Sequence, residues 1–149
     1  PVHPGEPDVA RYTVSLGKVS FIVDDSLLYT ETDEWVRVEG SRVRVGITDY
    51  AQKQLKDVVG VDLPKVGQEV NEGMDLAVLE SVKATAEIYS PVTGKVVEVN
   101  ERLLDEPELI NKEPYDGGWI AVIEPANPLD KSKLLDHRAY VESVKKRSS

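Results

Sequence analysis

Glu80-Ser81-Val82-Lys83-Ala84-Thr85 lies midway between two stretches with the same turn chemistry, Pro64-Lys65-Val66-Gly67 and Pro91-Val92-Thr93-Gly94. Each Pro-x-x-Gly is followed three residues later by a valine, Val70 or Val97. Between Asp57 and Val99 nearly every apolar residue is β-branched or belongs to a period-two run, and Pro64, Gly67, Gly73, Pro91 and Gly94 interrupt the runs. This combination predicts short strands with tight turns in a small sandwich or barrel. Two similar half-sheets facing each other would produce the repeat, with a hairpin turning at residues 80–85 to join them. Pro and Gly are common turn residues, so chance would also give the pattern.

Upstream, Trp35 to Ile47 alternates apolar and polar on both sides of Gly40-Ser41. That is a hairpin pattern, with Val36 and Val38 opposite Val43 and Val45 and with Arg and Glu toward water. Thr48-Asp49 precedes Tyr50-Ala51-Gln52-Lys53-Gln54-Leu55, and Asp49 with Gln52 predicts a capping box opening a short helix. Tyr12 to Trp35 holds one or two further strands, broken at Asp24-Asp25-Ser26. Downstream, Leu103 to Ile110 allows a short helical turn, and Trp119 to Ile123 reads as a closing strand ended by Pro125 and Pro128. From Leu129 to Lys146, Leu134, Leu135, Val141 and Val144 fall on one helical face, with Lys145 and Lys146 in the last turn.

With 149 residues the chain reads as one domain, long enough to bury a core without crosslinks. It has no cysteine, hence no disulfide, no Cys zinc site and no thiol of its own. Its two histidines, His3 and His137, are remote in sequence, so no nucleophile, base and orienting group can be assembled as in a hydrolase. A formal charge of −9 argues against nonspecific nucleic-acid binding and against an anionic membrane surface. No signal peptide or membrane-spanning run is visible, so a cytoplasmic location is expected, or the mitochondrial matrix in a eukaryote. The leader, residues 1–11, opens with three prolines in seven residues and is expected to be disordered. Asp24-Asp25 could hold a cation weakly, but solvated turn residues are the better reading, and no metal is expected.

Lys83 is the residue to single out. The flanking strands alternate, the turn is small and polar, and a lysine there is displayed on a rigid support that suits covalent modification. Exposed lysines are ordinary, so this position needs the wider pattern.

That pattern is a family resemblance. Val78-Leu79-Glu80-Ser81-Val82-Lys83-Ala84 resembles the lipoyl-lysine motif of the glycine cleavage system H protein family. Upstream, Gly46-Ile47-Thr48-Asp49-Tyr50-Ala51-Gln52 and Asp57-Val58-Val59 are similar to the same family. So are Tyr89 to Asn100, Leu109-Ile110-Asn111 and Pro114-Tyr115-Asp116-Gly117-Gly118-Trp119 downstream, in the family's order. The likeness runs from about Tyr29 to about Val144. It implies a mainly β, lipoyl-domain-like barrel-sandwich hybrid with an N-terminal hairpin, short helices and a C-terminal helix. A single carrier domain would then occupy residues 12–149, with its hairpin core at 57–100.

The resemblance also implies a carrier and not a catalyst. Lipoate would be joined in amide linkage to Lys83 by a lipoate ligase or lipoyl transferase. In the family the arm accepts an aminomethyl group after glycine decarboxylation by the pyridoxal-phosphate P protein. It presents that group to the aminomethyltransferase, or T protein, which releases ammonia and passes the carbon to tetrahydrofolate. The flavin-dependent dihydrolipoamide dehydrogenase, or L protein, reoxidises the arm. By resemblance Thr32, Glu34 and Glu87 fall at the arm-contacting groove, although Glu31, Asp33 and Glu34 read equally well as a solvated acidic face. The chain departs from the family at Asp33, where His is usual, at Gly60, where a bulky aromatic is usual, and in its extra N-terminal strands up to Leu28. These departures keep open an H-like lipoate carrier of another pathway, such as heterodisulfide-reductase-like sulfur oxidation. A biotin carrier fits poorly, because Val82 and Ala84, not methionines, flank Lys83 and the only methionine is Met74.

Overall fold

The structure is a computed structural model describing residues 10–148. Its strands are β1 (Arg11–Leu16), β2 (Val19–Asp24), β3 (Leu28–Tyr29), β4 (Glu34–Glu39), β5 (Arg42–Ile47), β6 (Val58–Asp62), β7 (Glu69–Val70), β8 (Asp75–Ser81), β9 (Thr85–Tyr89), β10 (Gly94–Val99) and β11 (Ala121–Pro125). Helix α1 (Asp49–Leu55) follows β5; α2 (Arg102–Asp105) and α3 (Leu109–Lys112) follow β10; α4 (His137–Ser148) closes the described chain. The strands form a two-stranded sheet β1-β2, a six-stranded sheet β3-β4-β5-β11-β10-β7 and a three-stranded sheet β6-β8-β9.

Alternation along β4 explains the layering. Successive residues point to opposite faces of a strand, so Trp35 and Val36 enter different cores. Val36, Val43, Val45 and Ile47 share an aliphatic core with Leu76, Leu79 and Ile88 of the three-stranded sheet. Trp35 joins Phe21, Val23, Leu27, Tyr29, Tyr115, Tyr140 and Val144 in a second, aromatic core between the N-terminal hairpin and α4. Tyr29 and Tyr140 stack there with ring centroids 4.6 Å apart. The β4–β5 register places Val36 opposite Val45 and Val38 opposite Val43, as the alternation predicts.

The repeat folds differently from two facing half-sheets. Each copy runs a strand of the three-stranded sheet, β6 or β9, through Pro-x-x-Gly into the six-stranded sheet, where β7 and β10 pair with each other. The halves are therefore interleaved. Their glycines serve unlike ends: Gly67 has φ 92, whereas a Cβ on Gly94 would fall 2.2 Å from the Glu124 carbonyl oxygen.

Three further expectations change. The N-cap of α1 is Thr48, whose side chain accepts from the Ala51 N–H, and Asp49 is released to accept from the Ile22 N–H at 2.7 Å. Leu134 and Leu135 precede α4 instead of lying on it. Leu135 exchanges backbone hydrogen bonds with Tyr29, a partner more than a hundred residues upstream, and Asp136 then accepts from the Ala139 N–H at the helix start. Arg11, expected in a disordered leader, opens β1, where its guanidinium bonds Asp24 at 2.9 Å and Asp116 at 2.8 Å. Residues 1–9 of that leader lie outside the described residues.

Candidate functional site

The β8–β9 hairpin is anchored by Leu79 and Ile88 in the aliphatic core, with Glu80 opposite Thr85 as the last pair before the turn. Ser81 organises the turn. Its hydroxyl accepts from the N–H groups of Lys83 and Ala84 and donates to the Ala84 carbonyl, while its own N–H bonds that carbonyl at 2.8 Å. The Val82 N–H reaches the Asp57 carbonyl of the segment before β6. Small polar residues in the turn thus satisfy its backbone locally, which leaves the Lys83 side chain free to project. Lys83 is exposed and forms no ion pair among the described residues. Beside it Val82 is 71% exposed.

A groove of about 310 Å³ runs from Lys83 across the hairpin. Ile47, Leu55 and Ile88 give it an apolar floor, and Thr32, Asp33 and Glu87 stand with Lys83 at its edges. Thr32 also borders an adjoining cavity of about 230 Å³ that includes Glu34 and Tyr89. The structure therefore brings Thr32 and Glu87 to the groove that Lys83 borders and sets Glu34 behind Thr32. Glu34 is 1% exposed. Its carboxyl accepts from the hydroxyls of Thr30 and Thr32 and, at 3.4 Å, from the Tyr89 N–H. Burial pushes its pKa up to about 7 against the pull of those hydrogen bonds, and the Asp33 charge adds to the rise.

Asp33 has φ 75 and is tied to α4 by Tyr140 and Arg147. The sequence marked it as a departure without showing its partner, since Arg147 is remote in the chain. The groove floor from β5 and α1 was also unmarked; the apolar positions of α1 were the available signal. At Gly60 the space is taken: an added Cβ would lie 3.1 Å from Glu80 Oε2, so a bulky residue there requires Glu80 to move. His137 packs against Tyr12, at 5.9 Å between ring centroids, and does not line the groove. Among the described residues no group of three or more His, Cys, Asp or Glu is arranged to hold a metal ion.

The family described as glycine cleavage H-protein matches residues 27–147. A probable glycine cleavage system H protein of Aeropyrum pernix is 52% identical over 134 residues, which span 90% of this chain and 94% of the relative. Glycine cleavage system H protein 4 of Aquifex aeolicus is 54% identical over 130 residues, spanning 84% of this chain and 76% of the relative. The crystal structure of a glycine cleavage system H protein from Mycobacterium marinum aligns with a TM-score of 0.73 at 32% identity, covering 85% of this chain and 100% of that one. β1 and β2 precede the family-matched residues.

Proposed function

The chain belongs to the glycine cleavage H-protein family, and from that premise we propose that Lys83 is the lysine to which lipoate is joined. The chain is a lipoyl carrier of glycine cleavage. The relatives named above are H proteins of that system, so a heterodisulfide-reductase-like sulfur pathway is not the favoured reading.

One observation carries the attachment site: Lys83 projects, unpaired among the described residues, from a turn pinned by Ser81, at the edge of a groove with an apolar floor. The pinned turn and exposed Val82 offer a ligase or transferase a fixed surface to grip. When attached, lipoate supplies the sulfur chemistry that a chain without cysteine lacks. Ile47, Leu55 and Ile88 take an aliphatic stem out of water. Thr32 and Glu87 place a hydroxyl and a carboxylate at the groove's edge, where they favour a cationic group. Glu34 lies one step further in, its carboxyl oriented by Thr30, Thr32 and Tyr89. A cation entering that cavity shifts Glu34 toward its charged form.

The partners in this reading are P, T and L proteins and the enzyme that attaches lipoate, and the location is cytoplasmic. Among the described residues no helix is long and apolar enough to cross a membrane. The test is intact and peptide mass spectrometry after incubation with lipoate, ATP and a lipoate ligase. One lipoyl addition is expected, on the peptide containing Lys83 and absent from Lys83→Arg. Failure of the wild-type chain to be modified there would sink the proposal. The modified protein should then support glycine-dependent exchange of carbon dioxide with P protein.

A further inference from the structure

Asp33 is one of two non-glycine residues with positive φ among the described residues. A left-handed conformation of this kind persists in an L-residue when its surroundings over-determine it. Here the backbone is held on both sides: its N–H donates to the Thr30 carbonyl at 3.3 Å, and its carbonyl accepts from the Thr48 N–H at 3.0 Å. The carboxylate is held by α4. Arg147 forks onto both oxygens, at 2.7 and 3.1 Å, and the Tyr140 hydroxyl donates to Oδ1 at 2.9 Å. Tyr140 also shares a hydrogen bond with the Thr48 hydroxyl, which caps α1, and Arg147 lies 5.7 Å from the ring centroid of Tyr50. Asp33 and Thr32 form one edge of the groove that Lys83 borders, and the next residue is Glu34. The C-terminal helix therefore reaches this edge of the groove through the Asp33 side chain.

We infer that Arg147 and Tyr140 are positioning residues for this groove: through Asp33 the C-terminal helix holds the Thr32–Asp33 edge in place and so sets how long an arm on Lys83 stays docked. This rests on the reading of Lys83 as the lipoyl-lysine. A bidentate guanidinium–carboxylate pair fixes orientation as well as distance, and Arg147→Met removes that fork while keeping an unbranched side chain over Tyr50. The edge then keeps its two backbone bonds and the single Tyr140 bond, and loses the fork that fixes the carboxylate's orientation.

Two measurements separate this role from a purely structural one. In the unmodified protein, hydrogen exchange of the Thr48 amide, which bonds Asp33, should quicken about tenfold or more in Arg147→Met, with β8 amides unchanged. In lipoylated protein loaded by P protein and glycine, alkylation of the arm's free thiol should quicken severalfold in Arg147→Met. Arg147→Lys, which keeps the charge without the fork, should fall between. Unchanged Thr48 exchange overturns the latch, and quicker exchange with unchanged alkylation overturns its action on the arm. The mass of the wild-type protein reports separately whether Lys83 carries lipoate, so failure of the site and failure of the latch are distinguishable.

Discussion

The two hairpins β8–β9 and β1–β2 are alike in shape and unlike in what supports them. β8 is flanked on both sides by strands, β6 and β9, and its backbone bonds run strand to strand over the aliphatic core. β2 pairs only with β1, and side chains occupy its other edge. The Lys53 ammonium donates to the Ser20 carbonyl, Asp49 accepts from the Ile22 N–H, and the Tyr115 hydroxyl donates to the Ile22 carbonyl. The Tyr29 hydroxyl both accepts from the Asp24 N–H and donates to its carbonyl. An open edge strand invites pairing with another chain, and here four side chains close it, two from α1, Tyr29 from β3 and Tyr115 from the segment after α3. The β8 strand of the Lys83 hairpin is thus closed by strands on both edges, while β2, whose Phe21 and Val23 pack into the aromatic core, has its outer edge closed by a few polar groups that must each find a partner.

Substitutions that act on one support and not the other test this contrast. The largest effect is expected from Leu79→Ala, which empties a fully buried position in the hairpin's anchor. A loss of about 2–5 kcal/mol is expected from urea denaturation. A loss under about 1 kcal/mol would mean that the core collapses around the site and that packing does not hold this hairpin.

Glu34 comes next, at the seam between the aliphatic core's β9 and the loop leading into β4. Its pKa is raised by burial from 4.5 to about 7, so between those values the folded chain keeps a proton that the unfolded chain has released. Folding stability contributed by this group is therefore fully present below about pH 4.5 and is lost as pH rises through about 7, by at most about 3 kcal/mol. Glu34→Gln should flatten that fall in urea midpoints measured across the window. Equal slopes in the two proteins would refute the assignment.

Tyr115→Phe removes one hydroxyl and leaves the Ile22 carbonyl and the Asp49 N–H without this partner. About 1–3 kcal/mol is the expected loss. Amide exchange should quicken in β1 and β2 and stay unchanged in β8. Uniform quickening across both hairpins would show that the two supports are not separable.

The same contrast decides what was legible in the sequence. The β4–β5 register and the Lys83 turn follow from period-two alternation and turn residues close together in the chain. Leu134 and Leu135 carry helical spacing, yet they lie outside α4 because Leu135 is captured by Tyr29, and no local pattern encodes that pairing. Asp49 fits an N-cap by type, but Thr48 immediately before it offers the cap equally well, and the Ile22 N–H decides between them. Family likeness points to Thr32, Glu34 and Glu87; Thr32 and Glu87 line the groove beside Lys83, and Glu34 lines the adjoining cavity. The Asp33–Arg147 contact was beyond reach, because it depends on how α4 docks across the aromatic core.

The smallest effect tests whether bond count or burial governs the β2 edge. Lys53 makes a contact there at 2.8 Å and lies 3.8 Å from Asp49, so by counting alone it rivals Tyr115. Its side chain is 46% exposed, however, and water can replace what it gives the Ser20 carbonyl. Surface pairs of this kind contribute little once side-chain ordering and salt screening are included. Lys53→Met keeps the unbranched stem and should cost less than about 0.5 kcal/mol, with a difference that shrinks further at about 1 M salt. A loss matching that of Tyr115→Phe would mean that charge, and not a buried hydroxyl, closes the edge, and the N-terminal hairpin would then loosen with salt while the Lys83 hairpin did not.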